Sequence, residues 1–373
     1  MFLALRELKH AKFRFFMIGM ILVLISWLVF ILSGLGNGLS SLSASAFKNM
    51  DADYVVFEDG ARHSMLRSVI SEDLSEQLKN QEHVNDAAPM GSRTAVVLKE
   101  NATSDDEKMD VSLLGINPGT FLEPEVIEGN PLTKGKDKEV IANDVLQDKG
   151  IKLGDTLEIE GSTEVLKVVG FVEDQSFNHL PAIFMTMDSW RTIHFAAPGS
   201  DMGINNPVNA IMLQGENIIP EDVDQSVEGI ETTTKQEAIN GLPGYTAENG
   251  TIMMMLAFLL AISAVVITVF FYVITLQKSN QFGIMKAIGA SNAFLGRAVI
   301  SQIFMLAVIS IGLGIILTYG TAAILPEAMP FALDPMLVFI YAFVLLAVSV
   351  MSSLLSVRKI TKIDPLQAIG RVE

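Results

Sequence analysis

Residues that could carry chemistry are sparse in this chain, and their spacing excludes most of what they could do. Five histidines occur, at His10, His63, His83, His179 and His194. None falls in a long apolar run, and no two have the helical spacing of metal ligands, so each reads as a solvated or hydrogen-bonded side chain. There is no cysteine, which removes disulfides, thiolate chemistry and Cys-ligated zinc or iron–sulfur sites. No Ser, His and Asp arrangement supplies a nucleophile with its base. Gly34-x-Gly36-x-Gly38 has the glycines of a phosphate-binding turn, but no strand precedes it and it closes an apolar run, so the nucleotide reading fails. Small residues there suit close helix packing instead. Asn101-Ala-Thr103 and Asn249-Gly-Thr251 match glycosylation sequons, a pattern short enough to arise by chance. The expectation is a chain without catalytic residues and without a metal site on the protein alone.

The elements around these residues explain the scarcity. The 373 residues are 50% hydrophobic and only 18% charged, against about 25% charged in an ordinary soluble domain. Windows 15–47, 249–277, 298–326 and 335–357 contain no Asp, Glu, Lys or Arg. Each holds the ~20 apolar residues that cross a bilayer as a helix. This is an integral membrane protein, which excludes a soluble enzyme, a disordered chain and a nucleic-acid binder. The first window resembles a signal peptide, but Phe15–Leu35 gives 21 apolar or small residues, longer than a signal core of about 7–15. It reads as an uncleaved anchor.

Charge orients the spans. The segments before the first window, between the second and third, and after the fourth hold 11 basic and 3 acidic residues, whereas 48–248 holds 15 basic and 37 acidic. Lys and Arg near membrane ends mark the cytoplasmic side. Both termini and 278–297 are therefore expected inside, and 48–248 with 327–334 outside. The predicted order is a cytoplasmic interfacial helix at 1–14, membrane helix 1 at 15–40, and an extracellular α/β domain at 41–249. Membrane helix 2 follows at 250–277, a cytoplasmic coupling helix at 278–292, helix 3 at 293–320, helix 4 at 335–357 and a cytoplasmic tail at 358–373. The fold class is an α-helical membrane protein with four transmembrane helices and a large extracellular mixed α/β domain inserted between helices 1 and 2.

The outer block carries strand signals, apolar β-branched runs bounded by turn residues. They fall at 53–58, 94–99, 111–116, 139–141, 156–160, 165–172, 182–187 and 210–214. Helical stretches intervene at 71–79, with Ser71 as N-cap, and at 143–149 and 220–227. Two lobes are expected, divided near 120–135 where Pro118, Pro124 and Pro131 cluster. The hairpin around Gly161 suggests that one of them is a barrel.

On the inner side, Phe282, Met285 and Ile288 recur at a spacing of three and predict an apolar helical stripe. Gly289 suits the position just past that helix, and Ser291 or Asn292 the cap of the next. Such a helix could float in headgroups or dock into a cytosolic partner. Gln281-Phe-Gly-Ile-Met-Lys-Ala-Ile-Gly-Ala-Ser291 resembles the coupling segment of FtsX/MacB-type permeases of ABC transporters, in which a Glu often stands where Gln281 is. The tail Lys362-Ile-Asp364-Pro365-Leu-Gln-Ala368-Ile resembles their Asp-Pro-x-x-Ala-Leu ending, and segment 137–172 their outer domain. The resemblance implies a homodimer embedded in lipid and bound to two copies of a separate cytosolic ABC ATPase, which holds ATP-Mg and does the hydrolysis. It assigns ATPase coupling to Gln281, Phe282, Met285, Lys286 and Ile288.

Gly244-Tyr245-Thr-Ala-Glu248-Asn-Gly, running into Met253-Met254-Met255, resembles the haem-efflux permeases of Gram-positive bacteria within that family. Haem would then be the transported substrate, with no cofactor of the chain's own. Tyr and Met are haem ligands and a carboxylate oxygen is a further donor. The substrate-binding candidates are Glu248, Tyr245, Met253, Met254 and Met255, with one Glu248 per protomer meeting an iron across a two-fold axis. Against ligation, Glu248 also suits the N-terminal dipole of its helix, and the Met run suits flexible packing. An FtsX-like transducer and a peptide or lipoprotein exporter are the alternatives within the family.

Overall fold

A backbone surrounded by lipid has no water to bond to, so an apolar span must satisfy its own N–H and C=O groups as a helix. The structure, a computed structural model, describes residues 12–100, 108–326 and 329–361. Four of its helices are long and apolar enough to cross a membrane, with spans at Phe15–Asn49, Tyr245–Gln277, Asn292–Ala322 and Pro335–Leu354. The chain divides into two compact units, one of residues 1–38 and 249–373 and one of residues 39–248. Residues 1–11 of the interfacial helix predicted at 1–14, the Asn101 sequon, Glu327 and the Asp364-Pro365 tail motif lie outside the described residues, and 12–14 are continuous with the first long helix.

In chain order the elements are α1 (Lys12–Asn49), β1 (Tyr54–Glu58), β2 (Ile70–Ser71), α2 (Leu74–Lys79), β3 (Asp86–Lys99), β4 (Met109–Ile116), β5 (Glu128–Gly129) and β6 (Glu139–Asn143). Next come α3 (Val145–Asp148), β7 (Thr156–Ile159), β8 (Val165–Val172), β9 (Ser176–Phe177), β10 (Leu180–Thr186), α4 (Met187–His194), β11 (Pro207–Val208) and β12 (Ala210–Gln214). The chain continues with α5 (Pro220–Ser226), β13 (Ile230–Thr234), α6 (Lys235–Asn240), α7 (Tyr245–Gln277), α8 (Ser279–Ala287), α9 (Asn292–Ala322) and α10 (Pro335–Thr361).

In the unit of residues 39–248 one sheet runs in the order β13-β1-β12-β3-β4-β10-β6-β8-β5, and β7 pairs with both β3 and β8. The pairings β3–β4–β10–β6–β8–β7 return to β3 and close a ring, while β12, β1 and β13 extend from the first half of β3. The expected barrel is therefore present, but no boundary falls at 120–135. The two parts share β3, and the extension draws β1 from one end of the block and β12 and β13 from the other.

Both faces of the sheet are buried, and the two-residue period of a strand assigns neighbours to opposite cores. Leu113, Ile183, Val140 and Ile211 lie in one cluster with Trp190. Their neighbours Leu114, Phe184, Ile141 and Met212 lie in the other, with Ala44 and Phe47 of α1 and Tyr245. The first half of β3 carries Pro89 and Gly91, which read as breakers and hid half of the strand. Gly91 pairs with Gly115 across the β3–β4 ladder. A Cβ on Gly91 would stand 2.4 Å from the Trp190 ring, and one on Gly115 2.6 Å from Trp190. The two glycines exist to seat one indole. Helix α2 also departs from expectation: it begins at Leu74 with Asp73 as cap residue, and Ser71 Oγ accepts from Asp73 N at 3.2 Å before the helix.

In the membrane unit the glycine run of α1 makes two kinds of close approach. A Cβ on Gly36 would lie 2.6 Å from Ile252 of α7, the helix contact that small residues permit. Gly34 and Gly38 instead receive the 330–333 segment, with Phe331 2.5 Å from the first Cβ position and the Pro330 backbone 2.4 Å from the second. Asn37 Nδ2 donates to Ala332 O at 3.2 Å, and Ala332 N to Gly34 O at 3.1 Å.

Gly91→Ala should cost about 1–3 kcal/mol, because the indole cannot move without disturbing both strands. Thermal unfolding of the purified protein, followed by tryptophan fluorescence, should show the loss. Gly250→Ala, whose Cβ would meet nothing within 4 Å, should leave the melting temperature unchanged.

Candidate functional site

The α7 N-terminus is built from a glycine turn. Gly244 has φ +82, and Glu248 N donates to Gly244 O at 2.9 Å as the first helical bond. The Glu248 carboxylate thus sits in the first turn, where the macrodipole favours an acid. Tyr245, one turn earlier, is 4% exposed. Its hydroxyl lies 3.0 Å from Ser40 Oγ. Lys48 Nζ donates to the same Oγ at 2.6 Å and stands 5.6 Å over the tyrosine ring. This hydroxyl is committed to the α1 contact, so Tyr245 serves packing. Glu248 is different: its side chain is 40% exposed, and Oε1 lies 3.4 Å from Nε2 of His179, itself 35% exposed.

His179 escaped the sequence reading because it stands about 70 residues from Glu248 in the chain. Asn178 and His179 form the two-residue loop between β9 and β10, with Leu180 opposite Phe177. Both have positive φ, +52 and +63. That is the pattern of a type I′ turn, for which Asn-Gly is the favoured pair. A histidine there carries a conformational cost of about 1–2 kcal/mol relative to glycine. The turn is tied to α1, since Asn178 N donates to Ser43 O and His179 N to Leu42 O, both at 3.0 Å. Ser43 Oγ lies 3.2 Å from His179 Nε2, and Ser176 N donates to Ser45 Oγ at 2.8 Å.

The other described histidines lie elsewhere in the unit of residues 39–248. His63 pairs with Glu231 at 2.9 Å and His83 lies 3.6 Å from Glu82. His194 stacks on Trp190 at 4.5 Å, and burial, helped by the nearby Arg93 charge, pushes its imidazole down to about 4. Met253, Met254 and Met255 belong to the membrane unit, where all three are exposed on α7. Being consecutive, they point in different directions.

Helix α8 corrects the predicted stripe. Phe282 is buried among Phe15, Phe271, Leu295 and Val299, with Met285 packed against that cluster. Ile288 is 81% exposed and does not share their face. The outward side is Gln281, Ile284 and Ile288, and Lys286 is half-buried. Gly289, at φ +103, ends the helix: Gly289 N donates to Lys286 O at 3.0 Å and Ala290 N to Met285 O at 2.9 Å, the paired bonds of a Schellman motif. Ser291 Oγ then caps α9 by accepting from Phe294 N.

Two known family models match successive parts of the chain. The MacB-like periplasmic core domain matches residues 16–231, and the FtsX-like permease C-terminal domain matches residues 253–365. The chain belongs to the MacB/FtsX-type permeases. It is the permease of an ABC transporter, with four apolar helices and a mixed α/β unit between the first and second. The permease is 28% identical over 371 residues to the putative hemin transport system permease protein HrtB of Staphylococcus haemolyticus, covering 100% of this chain and 99% of that protein. Its identity to the same-named protein of Staphylococcus epidermidis is 27% over 370 residues, with 99% of each chain covered. Among solved structures it is similar to the periplasmic region of MacB from Actinobacillus actinomycetemcomitans, at 14% identity and TM-score 0.37, covering 51% of this chain and 92% of that one.

The two faces of α8 should respond differently to truncation. Phe282→Ala opens a cavity and should cost about 3–5 kcal/mol, whereas Ile288→Ala at the surface should stay within about 0.5 kcal/mol. Thermal unfolding of the detergent-solubilised permease distinguishes them.

Proposed function

We propose that this permease exports haem. The full-length match to two relatives named as putative hemin transport permeases carries the reading, and the half-exposed Glu248 carboxylate supports it with a donor suited to iron. Haem is a flat apolar disc that partitions into lipid. A site at the outer end of an apolar helix could take it from the outer leaflet without a channel through the bilayer. Glu248 supplies the oxygen donor. Tyr245 holds the start of α7 against α1.

The working assembly in this reading is a homodimer in the plasma membrane with both termini cytoplasmic and 39–248 outside. The positive charge around 278–297 and in the terminal segments supports that orientation. Two copies of a separate ABC ATPase bind and hydrolyse ATP-Mg, and α8 receives their motion through Gln281, Ile284 and Ile288. Phe282 and Met285 anchor the helix to the bundle, and Lys286 flanks the contact.

Two measurements test this reading. Glu248→Ala should weaken hemin binding by about tenfold or more, equal to 1.4 kcal/mol, and cells carrying it should lose haem tolerance at normal expression. Glu248→Gln, which keeps size and removes charge, should do the same. Wild-type affinity in both variants would remove Glu248 from the site. At the other end, Ile288→Asp should abolish ATP-driven export while membrane level and melting temperature persist. Full export by that variant would show α8 to be a passive surface helix.

A further inference from the structure

We infer that the unit of residues 39–248 holds a binding site for a small organic polycation, an alkyl diamine or polyamine, in a cleft between the last turn of α1 and the segments 121–127 and 173–175. The site is separate from the start of α7, and it stands whether or not haem is the exported substrate.

The cleft encloses about 410 Å³, within the range of about 300–1,000 Å³ common for small-molecule sites. Its wall is acidic. Asp51, Glu123, Glu125 and Glu173 line it, and no lysine or arginine does. The fold places two of these carboxylates. Glu123 Oε2 accepts from Gly119 N at 2.7 Å and its Oε1 from Leu132 N at 2.9 Å. Asp51 Oδ2 accepts from Gln214 Nε2 at 2.7 Å. Glu125 and Glu173 are exposed, and neither is ion-paired among the described residues.

An acidic wall alone attracts any cation. Gln175 makes this one a site. It is 7% exposed, and its backbone carbonyl is fixed by bonds from Asn143 Nδ2 and Ala182 N. Its side chain lines the cleft and has no hydrogen-bond partner among the described residues. A buried amide left unpaired is costly, so its oxygen is open to a donor that enters the cleft.

The arrangement favours an extended cation over a metal ion. Among the described residues no three carboxylate or histidine side chains gather as metal ligands, so the negative charge is spread along the wall. The same wall carries apolar surface from Leu122 and Phe184, both buried. A divalent ion uses neither feature, whereas an alkyl diamine uses both. Each ammonium has three donors and no acceptor, which suits carboxylates and the Gln175 oxygen. The methylene chain gains from covering the apolar part of the wall.

The test is calorimetric titration of the full-length permease, in nanodiscs of phosphatidylcholine, with 1,8-diaminooctane, 1,4-diaminobutane and magnesium chloride at fixed ionic strength. The wild type should bind the longer diamine about tenfold more tightly than either of the others. Glu125→Gln combined with Glu173→Gln, both at exposed positions, should weaken that binding about tenfold at an unchanged melting temperature. Gln175→Met, which keeps the length of the side chain and removes its hydrogen bonds, should weaken it about fivefold. Equal affinity for the longer diamine and magnesium would reduce the cleft to a generic acidic surface and overturn the inference. Wild-type affinity in the double variant, or in Gln175→Met, overturns it as well. A lysine-rich peptide that displaces the diamine with higher affinity would assign the cleft to a protein partner and overturn the small-ligand site.

Discussion

Within the apolar spans, several hydroxyls bond back to the helices that carry them. Ser263 Oγ donates to Leu259 O at 2.6 Å, Thr268 Oγ1 to Ala264 O at 2.6 Å, Thr318 Oγ1 to Gly314 O at 2.8 Å and Ser349 Oγ to Leu345 O at 2.8 Å. In hydrocarbon an unpaired group is costly, so these hydroxyls turn back on their own backbones. Glu248 and the Gln281–Ile288 segment, the residues proposed to act, stand outside the interiors of the spans. The sparse motif content of the sequence follows from this constraint.

The α/β unit meets a different demand, a sheet buried on both faces. Alternation along β4, β6, β10 and β12 fills two separate cores, and β3 is long enough to serve both the ring and its extension. One core closes over the indole of Trp190, which requires glycine on two adjacent strands. The other closes on Ala44 and Phe47 of α1. The turn at Asn178–His179 is fixed by that second closure, because the small Ser43 and Ala44 let the β9–β10 hairpin reach the helix backbone. The position of the histidine thus follows from the packing of the hairpin against α1.

The spans were legible because a charge-free window has one structural solution in lipid. Strands such as β4, β8 and β12 were legible because β-branched runs end at turn residues. The first half of β3 was not, since Pro89 and Gly91 carry the local signal of a loop while their partners Ile211 and Gly115 decide otherwise. β13 and α6 were missed because Ile230-Glu-Thr-Thr-Thr is polar, and the capping box of Thr234 with Glu237 went unread. Of the site, Glu248 was visible from its place at the start of a span. His179 was not, because its meeting with Glu248 is set by sheet register and a turn. The local clue was an Asn followed by a non-glycine between Phe177 and Leu180.

Helix α8 shows why a correct periodicity can still assign the wrong face. Phe282, Met285 and Ile288 do recur at helical spacing, but the helix turns about 100° per residue and three-residue steps drift. By Ile288 the stripe has rotated away from Phe282, and the helix is also ending at Gly289. What remains is a short helix apolar on two sides, one side closed by Phe15 and Leu295 and the other presenting Ile284 and Ile288. A helix floating in headgroups needs one apolar face. The second apolar side, away from the bundle, is the one that the proposed ATPase contact would use.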